Sequence, residues 1–265
     1  MHRCILACLA LVLASCTLPA SRGPNPPGWI GTPFLSETPI PELAIADSTQ
    51  VTKATPTFSP NEGLYAWLPL EISNTWIYSY TAYMGETHAT WRISDTVLET
   101  QQLSGYKIGR IQRQVTFISG SSSQSFPDEP VSEEFWYLTD GSYLYKQNGN
   151  LNMGAITDSW LELIYPITTG DCWYPDPAQR KNLAMATPAS MERLPGCRYV
   201  VSEEGDVETA VGVFPGCYAL ITTYNSGPTL ITFCPTIGIV GWKYDHNGSN
   251  FGYEAVIIGY SLETP

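Results

Sequence analysis

Ile237-Gly238-Ile239-Val240-Gly241-Trp242-Lys243-Tyr244 runs into Asp245-His246-Asn247-Gly248-Ser249-Asn250 and leaves as Phe251-Gly252-Tyr253-Glu254-Ala255-Val256-Ile257-Ile258-Gly259-Tyr260-Ser261-Leu262. Two runs rich in β-branched and aromatic residues, parted by Asp, Asn, Gly and Ser, read as two strands and a turn. Asn-Gly is a strong hairpin signal, because a type I′ turn needs positive φ at both central residues. A two-residue turn at Asn247-Gly248 pairs Tyr244 with Phe251 and Trp242 with Tyr253.

The same grammar extends upstream. Cys217–Tyr224 and Leu230–Cys234 flank Asn225-Ser226. With those two as the loop, Tyr224 faces Gly227, Thr223 faces Pro228 at a site where proline's missing N–H removes no ladder bond, and Cys217 faces Cys234 at a non-hydrogen-bonded site. Cα atoms there lie about 4.5 Å apart, within disulfide range. That register predicts a Cys217–Cys234 bridge, with Cys172–Cys197 as its companion among three pairings. Asp140-Gly141 predicts a hairpin pairing Trp136 with Tyr145 and Leu138 with Tyr143. A tight turn at Gly85-Glu86 sets Tyr80 against Trp91 and Tyr83 against His88. Tyr106–Phe117 reads as a long strand, Ser119–Pro130 as an exposed loop, Tyr199–Ser202 as a strand and Trp160–Tyr165 as a strand or short helix. Asp176–Leu194 is the least β-like stretch, with one short helix expected near Ala178–Met185. Helical periodicity is otherwise nearly absent. The expected fold is all-β: a single domain of antiparallel strands in a strongly curved sheet or an open or closed barrel, with at most one short helix. So many strands in a flat sheet would leave long exposed edges.

The other end of the chain is organised around Leu13-Ala14-Ser15-Cys16. Arg3, an apolar run from Ile5 to Val12 and small residues before a cut make a secretory signal, too short to span a bilayer. The cysteine after Leu-Ala-Ser gives the stretch the look of a bacterial lipobox, so residues 1–15 read as a lipoprotein signal peptide and Cys16 as the lipidated residue. Residues 16–60 follow as a disordered tether, with nine prolines among Ser and Thr that favour extended chain. Residues 61–265 then form the β domain. The expected location is the cell envelope, extracytoplasmic and lipid-anchored to a membrane.

Charge and cysteine usage fit that reading. The chain carries 13 basic and 25 acidic residues, net −12; loss of Arg3 with the leader makes this −13. Such a surface, without a basic cluster, excludes nucleic acid as a partner. Of seven cysteines, Cys4 and Cys8 leave with the signal and Cys16 takes lipid, leaving an even set of four for disulfides. No CxxC spacing suggests a metal, and no cofactor is implied.

The chemistry-bearing residues are sparse. His88 and His246 are the histidines beyond the leader, both at turns, and no Gly-x-Ser-x-Gly elbow accompanies them. Asp245-x-Asn247-Gly248-x-Asn250 misses the calcium-loop spacing. Glu133-Glu134 and Glu203-Glu204 are adjacent pairs whose side chains point to opposite faces of a strand, so no catalytic constellation is assigned. The aromatic residues, Trp136, Tyr145, Trp242 and Tyr253 foremost, are candidates to face an apolar or carbohydrate ligand on a concave surface, or simply to fill a core.

Tyr65-x-x-Leu68-Pro69-Leu70-x-x-x-Asn74-Thr75-Trp76-x-Tyr78 resembles the PL-x-x-GNTW-x-Y opening of a widespread group of bacterial lipoproteins without established activity. Their C-terminal signature is similar to Val213-Phe214-Pro215-Gly216-Cys217-Tyr218 and Phe233-Cys234-Pro235-Thr236-Ile237-Gly238-Ile239-Val240. The resemblance spans about residues 64–262 and implies an exported β-rich domain. Ser73 stands where that group has glycine, as does Thr236. The function expected is a non-enzymatic, membrane-anchored envelope lipoprotein, monomeric, binding a ligand or partner or serving structurally; the alternative is a surface hydrolase acting on polysaccharide or peptide.

Overall fold

A computed structural model describes residues 63–121, 126–183, 196–224 and 226–263; the signal, Cys16 and the tether lie outside them. After a four-residue helix α1 (Leu64–Trp67) come β1 (Thr75–Met84), β2 (Thr87–Leu103), β3 (Tyr106–Gly120), β4 (Glu133–Thr139) and β5 (Tyr143–Asn148). A 3₁₀ turn (Met153–Asp158) leads to β6 (Trp160–Ile164), β7 (Cys172–Trp173) and helix α2 (Pro177–Leu183). The chain ends in β8 (Arg198–Thr209), β9 (Gly212–Tyr224), β10 (Gly227–Cys234), β11 (Gly238–Asp245) and β12 (Phe251–Ser261). The fold is all-β, one strongly curved antiparallel sheet. Among the described residues there are two short α-helices where at most one was expected: α1 is too short to show a period, and α2 covers the expected one as far as Leu183, with Ala184 and Met185 outside the described residues.

The strand order is β6-β5-β4-β3-β2-β1-β12-β11-β10-β9-β8-β7. Two six-strand meanders are therefore zipped together by β1 against β12. Between the outermost strands the chain has only residues 165–171, because β6 ends at Ile164 and β7 starts at Cys172. Laid flat, twelve strands would hold their edges about 53 Å apart at about 4.8 Å per spacing. Eight Cα steps reach about 28 Å at most. The connection thus requires the sheet to curl.

The curl brings the edges within hydrogen-bonding range without a ladder. Leu161 N–H donates to the Pro175 carbonyl (2.9 Å), and Trp173 Nε1 donates to the Leu161 carbonyl (3.3 Å). The buried Arg198 of β8 donates through Nη1 to the carbonyl (2.8 Å) and carboxylate (2.9 Å) of Glu162 in β6, and through Nε to Thr222 Oγ1 (3.1 Å). Arg180 of α2 reinforces this seam by donating to the carbonyls of Tyr174 (3.0 Å) and Thr157 (3.0 Å), and to those of Pro175 and Ser159.

The registers divide into two groups. At Gly85-Glu86, Tyr80 pairs with Trp91 and Tyr83 with His88, as read from sequence. In the β9–β10 hairpin Tyr224 pairs with Gly227 and Thr223 with Pro228, and the Cys217–Cys234 bridge follows, with Cα atoms 4.1 Å apart. Asn225 of that loop is outside the described residues. Cys172 and Cys197 form the second bridge, Cα atoms 6.0 Å apart.

The two Asx-Gly hairpins differ from expectation by two residues. Leu138 pairs with Tyr145 and Trp136 with Gln147; Tyr244 pairs with Tyr253 and Trp242 with Ala255. Neither Asp140 nor Asn247 has positive φ, although Gly141 and Gly248 do, so neither turn is type I′. Asp140 Oδ1 instead accepts from Ser142 N and Tyr143 N (both 2.9 Å), and Gly141 N–H is held by Thr139 Oγ1 (3.0 Å). In the last hairpin Asn247 N–H donates out of its own turn to the Ser226 carbonyl (2.7 Å), and His246 N–H donates to Phe251 (2.9 Å). A shift of two keeps every side chain on its face.

The main core lies inside the curl, around the fully buried Phe135 and Phe233, each contributing about 1.5–3 kcal/mol by burial. Phe126, expected in an exposed loop, is buried against Trp91, ring centroids 5.8 Å apart. The segment from Leu64 to Leu70 crosses between meanders: Leu64 N–H donates to Gly141 (2.9 Å), while the Trp67 carbonyl accepts from Thr236 (3.1 Å).

The stretches singled out by resemblance meet at this end. Trp76 Nε1 donates to the Ile237 carbonyl (2.6 Å) and the Tyr78 hydroxyl to that of Ile239 (2.9 Å). Buried Asn74 donates to the Pro69 carbonyl (2.9 Å) and accepts from Glu263 N–H (2.6 Å), 189 residues away in sequence.

Candidate functional site

Inside the curl, β2 and β3 place Asp95 opposite Arg113. The pair is bidentate, Nε to Oδ1 at 2.8 Å and Nη2 to Oδ2 at 2.6 Å. The guanidinium also lies 5.4 Å from the Phe135 ring and 6.0 Å from that of Trp242. Burial by itself lowers its pKa, but the Asp95 carboxylate outweighs that and the net direction is upward. Tyr78 and Tyr137 flank the pair. Burial, with Asp95 for Tyr78 and with Glu162 and Asp95 for Tyr137, raises both hydroxyls above the ordinary tyrosine value. The cavity these groups share with Trp76 and Trp242 holds about 50 Å³. That is room for a water or two, whereas ligand pockets run to about 300–1,000 Å³. Around the Asp95–Arg113 pair the interior is packed among the described residues.

The four aromatics singled out from sequence do not share one face. Trp242 and Tyr253 are inside, Trp242 against Tyr78 (4.9 Å between centroids) and Tyr253 stacked on Tyr80 (5.4 Å). Trp136 and Tyr145 rim a second small cluster, Ile108, Leu138 and Ile156, on the other face of β3–β5. There Trp136 Nε1 donates to the Gly149 carbonyl (3.0 Å) and Arg110 lies over its ring at 5.8 Å. Strand alternation separates the two pairs.

A second depression, of about 570 Å³, lies over the Lys146–Asn152 stretch and the start of β6. Half-buried Trp160 lines it, and β5–β6 pairing sets that residue opposite Lys146. Its wall is ordered by Gln147, whose Nε2 donates to Ser159 Oγ (2.7 Å) and whose Oε1 accepts from Asn152 N–H (2.9 Å). Asn152 Oδ1 in turn accepts from Gly154 N–H (3.0 Å). Sequence reasoning passed over this groove, because Trp160 reads as a strand residue and the asparagines as a turn.

The remaining candidates stand apart. His88 is exposed; His246 Nδ1 meets Ser249 Oγ (3.0 Å) within its own turn, with its ring against Tyr244 and Phe251. Asp245 accepts from the Tyr83 hydroxyl and pairs with Lys243 (3.2 Å). Glu133 neighbours Arg113 (3.9 Å) and Lys146 (3.7 Å), while Glu134 turns to Arg110 (3.5 Å) on the other face. The side chains of Glu203 and Glu204 are outside what is described. Among the described residues, no three His, Cys, Asp or Glu side chains gather as a metal site, and no helix is long and apolar enough to cross a membrane.

No protein-family model matches the chain, and no curated protein does. Among solved structures, a candidate exported protein with a YmcC-like fold from Bacteroides fragilis NCTC 9343 is 13% identical, with a TM-score of 0.44 over 74% of this chain and 98% of its own. A candidate lipoprotein from Parabacteroides distasonis ATCC 8503 is 12% identical, with a TM-score of 0.41 over the same shares. At these values the likeness carries none of the functional reading that follows.

Proposed function

We propose that this chain is an envelope lipoprotein, anchored through Cys16 and displaying residues 61–265 on a 16–60 tether as a non-enzymatic domain that binds a ligand or partner at its surface. The observation that carries this reading is the cavity beside the buried Asp95–Arg113 pair, whose volume of about 50 Å³ is too small for a carrier's cargo. What supports the anchor is the sequence Leu13-Ala14-Ser15-Cys16 with its signal in front. Two or more acyl chains hold a protein stably, where a single chain is marginal. The acidic domain is itself repelled by anionic head groups, so attachment falls to the lipid.

The non-enzymatic reading rests on the side chains that a hydrolase would need. The carboxylates bordering the groove over Trp160, Asp158 and Glu162, are paired with Lys181 (2.6 Å) and Arg198 (2.9 Å). Neither is poised as a free acid and base about a bond. Radiolabelled palmitate is expected to enter the wild-type chain and not Cys16→Ser, which should leave the membrane fraction. Label retained in Cys16→Ser sinks the anchor. Stoichiometric uptake of a radiolabelled fatty acid by the purified domain would sink the filled-interior argument.

A further inference from the structure

The groove over Trp160 carries a more specific chemistry, one that rests on the envelope reading for its setting. We propose that it is a binding site for a neutral saccharide.

Among the described residues three charged groups line the groove, and each is paired: Lys146 with Glu133 (3.7 Å), Asp158 with Lys181 (2.6 Å) and Glu162 with Arg198 (2.9 Å). Lys146 also caps the Phe135 ring at 4.1 Å. A phosphate or carboxylate ligand needs an uncommitted cation, and a divalent cation needs several convergent oxygens. A lipid chain needs a lining of apolar side chains, and here the described apolar residues are Trp160, Ala155 and Pro177 among amides and charged groups. What the groove leaves available is the side chains of Asn148 and Asn150, both exposed and without an internal hydrogen bond among the described residues, beside the half-buried indole of Trp160.

Each amide offers a donor and an acceptor, which is what a sugar hydroxyl, itself both, accepts. An indole supplies an apolar surface with a polar handle for the C–H face of a pyranose ring. The volume of about 570 Å³ suits an oligosaccharide segment of a few rings. The bonds of Gln147 to Ser159 and Asn152 hold the wall in place before binding, so little ordering cost falls on the complex.

The test uses the full lipidated chain in detergent micelles, titrated with soluble neutral oligosaccharides (gluco-, manno- and chito-oligosaccharides) and followed by saturation-transfer NMR and calorimetry. At least one series is expected to bind. Trp160→Ala should weaken that binding at least about tenfold, or about 1.4 kcal/mol. The double change Asn148→Ala with Asn150→Ala should do the same; both side chains are exposed, so this variant should keep the wild-type unfolding midpoint and guards against loss of fold. Raising salt from about 0.05 to about 0.5 M should leave affinity unchanged, since the site uses no uncommitted charge. No binding by any neutral series, binding indifferent to both variants, or binding only of acidic sugars with steep salt dependence would overturn the proposal. Cys16→Ser separates the two readings: it should bind the same sugar in solution, so a failed anchor leaves the groove intact and a failed groove leaves the anchor.

Discussion

Ser73 and Thr236 hold φ of 74° and 73°, the left-handed region that glycine enters freely and a β-branched residue almost never does. They are the two positions at which the chain departs from glycine in the resembling pattern, so the backbone bends there without the residue that makes the bend easy. Thr236 is kept in place by its N–H bond to Trp67 and by Ile237 N–H returning to the Cys234 carbonyl (3.3 Å). Surroundings of this kind sustain about 1–3 kcal/mol of backbone strain. Thr236→Gly is therefore expected to stabilise the domain by about 1 kcal/mol once glycine's greater unfolded freedom is deducted; a urea midpoint that fails to rise would show the strain to be absent. Residue scale also sets the alkaline limit. Tyr78 and Tyr137 have folded pKa values raised above 10.0, by burial first and neighbouring carboxylates next. In the window above pH 10 the folded state thus retains protons that the unfolded chain releases. Their contribution to stability is complete below that pH and declines as pH rises through it. In an absorbance titration at alkaline pH, these two hydroxyls should ionise only together with unfolding, and ionisation alongside the exposed tyrosines would contradict the packed interior.

Hairpins were legible where one local rule decided them. Gly85 supplies the positive φ of its own turn (64°), and in the cysteine hairpin the proline and the bridge admit one alternation. The Asx-Gly turns were misread because their polar atoms bond elsewhere: Asp140 to two following amides, Asn247 through its N–H to the loop of the preceding hairpin. No single-strand pattern records such bonds. The strand pair around Thr209 to Gly212 also went unseen beyond Ser202, since Glu203, Glu204, Asp206 and Glu208 depress β-propensity. Asn74 belongs to this scale, because one amide fixes both the approach to β1 and the exit from β12. Asn74→Ala removes partners from the buried side of the Pro69 carbonyl and the Glu263 N–H. It is expected to cost about 2–3 kcal/mol, with earliest amide exchange at Glu263 and along the end of β12. A loss below about 0.5 kcal/mol would mean that the C-terminal end of β12 is not held there.

For the whole molecule, the number of strands and the shortness of their connections implied a curved sheet, and the seven-residue passage from β6 to β7 makes curvature obligatory. The manner of closing was not legible, because it depends on Arg198, Glu162 and Arg180 meeting across a seam that no pairing pattern encodes. The groove is a product of the same event, since Glu162 serves both its lining and the Arg198 contact. This makes the seam testable independently of any ligand. Arg198→Ala leaves the largely buried Glu162 carboxylate and buried Thr222 without their partner, and breaking such a pair costs about 3–5 kcal/mol. Replacing both ends of the contact, Arg198→Met with Glu162→Leu, substitutes apolar volume for the pair and should recover most of that loss. Urea unfolding of the three chains supplies the comparison, with amide exchange at Leu161 as the local reporter, because its N–H is bonded across the seam to Pro175. Rapid exchange at Leu161 in Arg198→Ala, with β1 and β12 still protected, would mark an edge that opens while the zipped centre stays folded. Equal stability of all three chains would mean that the edges are not joined in solution, and the curvature would then rest on the β6–β7 connection alone.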